Sequence, residues 1–213
     1  ATREKLPMLP YSVQEIYGFR KSGKFHEAKQ KYNEIYHLYG EISVRSEIVP
    51  GFIITEDSNS GYDFFAKLAE QKNIKCISAS GKSNVIKKLQ DSENVTETRL
   101  VIVDGAAFGS EMKDVDEYLK VYENVVLYAP ESFEWLLLSS AVIPNAKVEE
   151  ILQKPEDYID CKEYVSWERF FTAVLTEKTQ NSLVWAYSKK KLPKAYLAPK
   201  VIGAVKKLMK LVI

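Results

Sequence analysis

Three short clusters combine carboxylates, small residues and a lysine: Glu56-Asp57, then Ser80-Gly81-Lys82-Ser83, then Asp104-Gly105. Each follows a short apolar run. A parallel sheet would gather such strand ends on one edge, where open α/β sheets hold their sites. Carboxylates brought together repel, and a cation or a proton relieves the repulsion. Mg²⁺ is commonly held by one or two carboxylates, with waters and phosphate oxygens completing its shell. The chemistry suggested is therefore a divalent metal with a phosphate ligand; plain solvated strand ends are the bland alternative. Gly81-Lys82-Ser83 also resembles the end of a nucleotide-binding loop. The glycine that such a loop needs five positions before Gly81 is replaced by Cys76, within a predicted strand. The long glycine cradle is missing, which argues against ATP hydrolysis there. Two readings remain: Gly81, Lys82 and Ser83 as a phosphate-binding helix start, with Lys82 adding charge, or Ser83 as a simple helix cap.

The elements that must position these clusters alternate. Short β-branched runs at 52–55, 74–79, 100–103 and 125–128 predict strands. Helical spacing predicts helices at 61–71, 85–89, 115–122 and 132–138. Four consecutive β-α units predict an α/β fold: a mostly parallel open sheet with helices on both faces. Before it, residues 12–39 read as a helical hairpin broken at Ser22-Gly23, and Pro50-Gly51 marks a boundary. The stretch from Gly23 to Tyr32 resembles the middle of a tetratricopeptide repeat, in a single copy where about three are needed. After Pro144, residues 149–152 and 167–175 look helical, and 199–213 reads as a basic amphipathic helix. The expected division is a hairpin over 1–49, an α/β core over 50–143 and a helical, basic C-terminal extension over 144–213.

Composition constrains the function further. The 213 residues are 46% hydrophobic and 28% charged, enough for a core and a solvated surface. No apolar run approaches the roughly 18 residues of a membrane span. Ala1 to Pro10 lacks the apolar centre of a secretory leader, so a cytoplasmic setting is expected; the missing initiator Met suggests processing or a longer parent chain. Cys76 and Cys161 make neither a disulfide framework nor a metal knuckle. His26 and His37, even on one helix face, would stand about 16 Å apart, too far to share a metal, and no Ser-His-Asp or Cys-His arrangement is supported. The net charge of +1 hides an asymmetry, because residues 178–213 hold nine lysines and no acid. Aromatics interleave with these lysines: Trp185, Tyr187, Lys189-Lys190-Lys191, Lys194 and Tyr196. Lysines neutralise phosphates and aromatics stack on bases, so Lys189, Lys190, Lys191 and Lys194 are candidates for binding nucleic acid. A membrane surface, or a helix docked on the body with its lysines in water, are the alternatives. Upstream, Ser132 can cap a helix whose positive end favours Glu131 and Glu134; alternatively Glu134 joins the acidic strand-end site.

The order of these motifs resembles a Toprim domain, the metal-binding fold of topoisomerases, primases and nucleases of the overcoming-lysogenization-defect type. It also resembles relatives in bacterial defence systems that work beside an ABC-type or AAA-type ATPase. Ile53-Ile54-Thr55-Glu56-Asp57 matches the family's strand ending in Glu. Ser80-Gly81-Lys82-Ser83-Asn84-Val85 matches its small-residue turn. Val101-Ile102-Val103-Asp104-Gly105-Ala106 matches its strand ending in Asp-x-Asp, except that Ala106 replaces the second aspartate. The resemblance covers about residues 50–140. It implies Glu56 as general base or acid, Asp104 as a catalytic metal ligand, and Mg²⁺ or Mn²⁺ held by Glu56, Asp57 and Asp104. A methyl cannot ligate a metal, and Glu111 and Glu134 stand away from the motif position. Two expectations follow: a nucleic-acid-handling, metal-dependent nuclease, or a non-catalytic α/β module that docks nucleic acid or a partner ATPase.

Overall fold

The structure is a computed structural model that describes residues 47–105, 108, 111–144, 148–153, 155–158, 163–164 and 166–212. The expected hairpin, both histidines, Ala106 and Cys161 lie outside the described residues.

Four strands form one parallel sheet: β1 Phe52–Thr55, β2 Lys75–Ser78, β3 Arg99–Ile102 and β4 Val125–Tyr128, in the order β2-β1-β3-β4. Phe52 stands opposite both Lys75 and Arg99, and Arg99 opposite Val125, so the four C-terminal ends are level. Strand side chains alternate between faces, and here both faces are apolar. Ile53, Leu100, Ile102 and Tyr128 enter one core, while Phe52, Ile54, Val101, Val125 and Leu127 enter the other. Such two-sided burial is what a sheet covered by helices requires.

The helices divide accordingly. Helix α1 (Ser60–Glu70) links β1 to β2 and buries Phe64, Phe65 and Leu68 in the first core. Helices α2 (Val85–Asp91) and α3 (Met112–Leu119) make the next two crossovers and bury Val85, Leu89, Val115 and Tyr118 in the second. Crossovers of one hand must place helices on opposite faces when the chain reverses its direction of progress across the sheet. That reversal lies between β1 and β3, making their gap the topological switch point.

The later helices extend the first core. Helix α4 (Phe133–Ser139) is capped by Ser132, whose Oγ accepts from Trp135 N at 3.1 Å. A short helix, α5 (Glu149–Gln153), follows. In α6 (Trp167–Thr179), Trp167, Phe170, Phe171, Val174 and Leu175 fall on one stripe and are all buried. Burying a side chain such as Phe171 stabilises the fold by about 1.5–3 kcal/mol. Helix α7 (Pro199–Leu208) opens on proline and buries Val201, Ile202 and Val205 beside α4. The chain then returns to the segment just before β1: Ile48 N donates to Lys210 O at 3.0 Å and Val212 N to Ile48 O at 2.8 Å. The basic C-terminal helix is thus docked, with Lys200, Lys207 and Lys210 exposed.

Buried Arg99 belongs to this framework, at the sheet end away from the clusters. Its Nη1 donates to Leu89 O, Ser92 O and the Tyr118 hydroxyl, each at 3.1 Å, and its Nη2 to Asn124 Oδ1 at 3.1 Å.

Candidate functional site

Glu56 leaves β1 and Asp104 leaves β3 on either side of the switch point. Glu56 N continues the ladder by donating to Ile102 O at 2.8 Å, which aims its side chain across the gap. There the Glu56 carboxylate accepts the Asp104 backbone N–H at 2.8 Å. Burial pushes the Glu56 carboxyl above its ordinary pKa; the Asp104 N–H opposes the rise, Asp57 adds to it, Lys82 opposes it, and Glu111 adds to it.

Asp57 turns toward the start of α1, where its Oδ2 accepts from Asn59 N at 3.3 Å and Gly61 N at 3.2 Å. Any Cβ at position 61 would stand 2.9 Å from Asp57 Oδ1, so glycine lets the carboxylate approach. Burial raises this carboxyl as well, against the two N–H groups and Lys189, with Glu134 adding a little. The Asp57 carbonyl accepts from Thr55 Oγ1 at 3.0 Å and Ser78 Oγ at 2.6 Å, tying the ends of β1 and β2.

The turn after β2 takes an unusual path. Ser80 has φ +58° and Gly81 φ +125°, and Gly81 N donates to Glu56 O at 2.7 Å. A single 3-10 turn, Lys82–Asn84, then leads into α2. Ser83 is exposed and does not cap the helix: the capping position is Asn84, which makes no side-chain cap bond. Gly81, Lys82 and Ser83 do not line the cavity described next; Gly81 reaches Glu56 through the backbone bond, and Lys82 acts on its carboxyl through charge.

A cavity of about 140 Å³ opens over the switch point, lined by Glu56, Asp57, Asp104, Glu134, Glu168 and Lys189 among others. Glu134, in the first turn of α4, is 2% exposed and accepts the Tyr187 hydroxyl at 2.7 Å. The same hydroxyl lies 2.8 Å from Ser60 Oγ. Ser60 N donates to Lys189 O at 3.3 Å, and the Lys189 ammonium pairs with Glu168 of α6. These contacts lay the segment from Tyr187 to Tyr196 beside the cavity as a strap. Burial, reinforced by Glu134, pushes the Tyr187 phenol far above its ordinary value, so it serves as a neutral donor.

The structure therefore divides the lysine run. Lys189 lines the cavity, whereas Lys190, Lys191 and Lys194 are exposed. The expectation that the tail aromatics stand ready to stack on bases is corrected. Tyr187 and Tyr196 are 7% and 0% exposed, and half-buried Trp185 packs edge-on against Tyr196 at 5.2 Å. Sequence reading missed Ser60 and Glu168 and gave Tyr187 a different role, among aromatics that stack on bases; none of the three carries a spacing signal for this site. Glu134 was one of two open readings and lies in the site.

Among the described residues no group of three or more His, Cys, Asp or Glu side chains is gathered to hold a metal ion, and no helix is long and apolar enough to cross a membrane. No known family model, curated protein or solved structure matches the chain. Fold and site together define a doubly wound parallel α/β protein with an acidic switch-point cavity bordered by a lysine-bearing strap.

Proposed function

We propose that the chain is a Toprim-like, nucleic-acid-handling domain whose switch-point carboxylates engage a divalent cation, Mg²⁺ or Mn²⁺, beside a phosphodiester. The observation that carries this reading is the Glu56 carboxylate, held across the switch point by the Asp104 N–H while burial opposes its ionisation. A carboxyl in that position gains from a cation that replaces its proton. The donors are hard oxygens, as Mg²⁺ requires, and Mg²⁺ is often content with one or two carboxylates when waters and a substrate phosphate supply the rest. Glu56 and Asp104 would hold it. Asp57 contributes charge more than a ligand, since one of its oxygens caps α1. When bound, such an ion supplies neutralisation of phosphate charge and a more acidic water.

A second reading has its own support: Ala106 replaces an expected ligand and the described side chains gather no third donor. It keeps the fold as a non-catalytic module that docks nucleic acid or a partner ATPase.

Calorimetric titration with Mg²⁺ and Mn²⁺ separates the two. Binding by the wild type that is lost in Glu56→Ala/Asp104→Ala supports the metal site and leads to nuclease assays. Absence of binding by a folded wild type overturns it in favour of the docking module.

A further inference from the structure

The strap offers a charged surface that the cavity does not use. Lys190, Lys191 and Lys194 are exposed, and none of them forms an ion pair among the described residues. They follow Lys189, whose carbonyl is tied to Ser60 at the start of α1 and whose ammonium lies in the acidic cavity. Tyr187 anchors the strap from below and Leu192, 5% exposed, holds its far side in the core. The three ammonium groups are therefore presented by an anchored backbone beside the cavity.

We propose that Lys190, Lys191 and Lys194 form a sequence-independent track for the phosphate backbone of a nucleic acid, leading it along the switch-point cavity. This rests on the proposed nucleic-acid role and adds where the polymer lies and how it is recognised. Two features favour a nucleic acid over a lipid surface. The strap's own apolar residues, Tyr187 and Leu192, face the core, so its outer side offers lysines without the apolar face that membrane-surface helices need. The cavity beside it, in turn, is lined by the carboxylates that the proposed metal site would use. Burial of Tyr187 and Tyr196 removes the strap's means of stacking on bases, which leaves the phosphates as what these lysines read.

The test is fluorescence anisotropy with labelled oligo-dT, oligo-dA and a mixed-sequence duplex over a range of salt, in EDTA so that the result is independent of any metal. Wild type is expected to bind dT and dA within a few-fold of each other. Three phosphate contacts contribute about 2 to the slope of log K against log salt on single strands and about 3 on duplex. Lys190→Gln/Lys191→Gln/Lys194→Gln should lose that much slope while keeping its thermal midpoint and its calorimetric metal binding. Removing equal charge from α7 and the turn after it, as Lys200→Gln/Lys207→Gln/Lys210→Gln, should leave most of the slope in place. Equal slopes for wild type and the strap variant, or equal losses in both triple variants, overturn the track without touching the metal site. A strong preference between dT and dA overturns its sequence independence. Leu183 and Val184, exposed on the turn before the strap, define the competing outcome. Binding to phosphatidylcholine–phosphatidylserine vesicles in place of oligonucleotides, lost in Leu183→Ser/Val184→Ser, would make this a membrane surface instead.

Discussion

Replacing Tyr187 with phenylalanine removes one oxygen, and the structure sets the size of the effect. That hydroxyl donates to a Glu134 carboxylate that is 2% exposed, at 2.7 Å, and lies 2.8 Å from Ser60 Oγ. A buried hydrogen bond to a charged group is worth about 1.5–3 kcal/mol, and solvent cannot replace the missing donor. The expected loss is about 2–3 kcal/mol, seen in urea unfolding as a lower midpoint with unchanged slope. For a chain of this length that is a fall in thermal midpoint of about 5–10 °C. A double-mutant cycle isolates the charge. In a Glu134→Gln background the acceptor is neutral, so Tyr187→Phe should cost only about 1 kcal/mol. A Tyr187→Phe protein as stable as wild type, or a penalty unchanged in the Gln background, would refute the view that a phenol–carboxylate contact holds the strap.

Two further predictions concern a strand-end carboxyl and a pair of glycines. A carboxyl whose folded pKa is raised binds more protons in the native state than in the unfolded one, so stability falls as pH rises above its ordinary value. For Glu56 that value is 4.5. Glu56→Gln, which keeps an acceptor for the Asp104 N–H, should therefore raise the thermal midpoint at pH 7. The gain should vanish below about pH 4.5, and a variant less stable than wild type at pH 7 contradicts the sign. At Gly81 an added Cβ meets no atom within 4 Å, yet φ is +125°, so Gly81→Ala should cost about 1–3 kcal/mol through backbone strain alone. At Gly203, within α7, the space is equally open but the backbone is helical, so the same substitution should stabilise by about 0.5–1 kcal/mol. Equal effects at both positions in urea unfolding would refute the conformational argument.

The fold was legible where one period dominates. The runs at 52–55 and 125–128 become β1 and β4 with those bounds, because their β-branched and aromatic residues are buried on both faces. The departures have local causes. Strand β3 begins at Arg99, a residue that hydrophobic patterning excludes, because carbonyls and a hydroxyl accept from the Nη1 of its buried guanidinium. Helix α3 spans Met112–Leu119 where 115–122 was expected. The apolar pattern outlasts the helix, since Tyr122 stacks on Tyr118 at 4.2 Å from the turn beyond. Helix α6 runs past 175 to Thr179, a polar residue that is buried and bonds back to Leu175 O at 2.7 Å. Helix α7 stops at Leu208, short of 213, because Lys210 takes φ +53° and turns Leu211 onto Ile48.

The site divides along the same line between local and distant causes. That Glu56 and Asp104 should meet follows from short-range rules: two strand ends, one parallel sheet and a reversal between them. The second half of the cavity has no such rule. Tyr187 reaches Ser60 across 127 residues and Glu134 across 53, and no spacing in the sequence encodes either pairing. The lysine run shows the consequence. As a string, Lys189-Lys190-Lys191 is one charge cluster. Once Tyr187 is pinned beneath α4, the strap's path commits Lys189 to the cavity and leaves its neighbours outside. The division between an ammonium that tempers the carboxylates and ammoniums left exposed is thus set by a buried phenol that charge patterning cannot see. For that reason, loosening Tyr187 should disturb both halves of the site together.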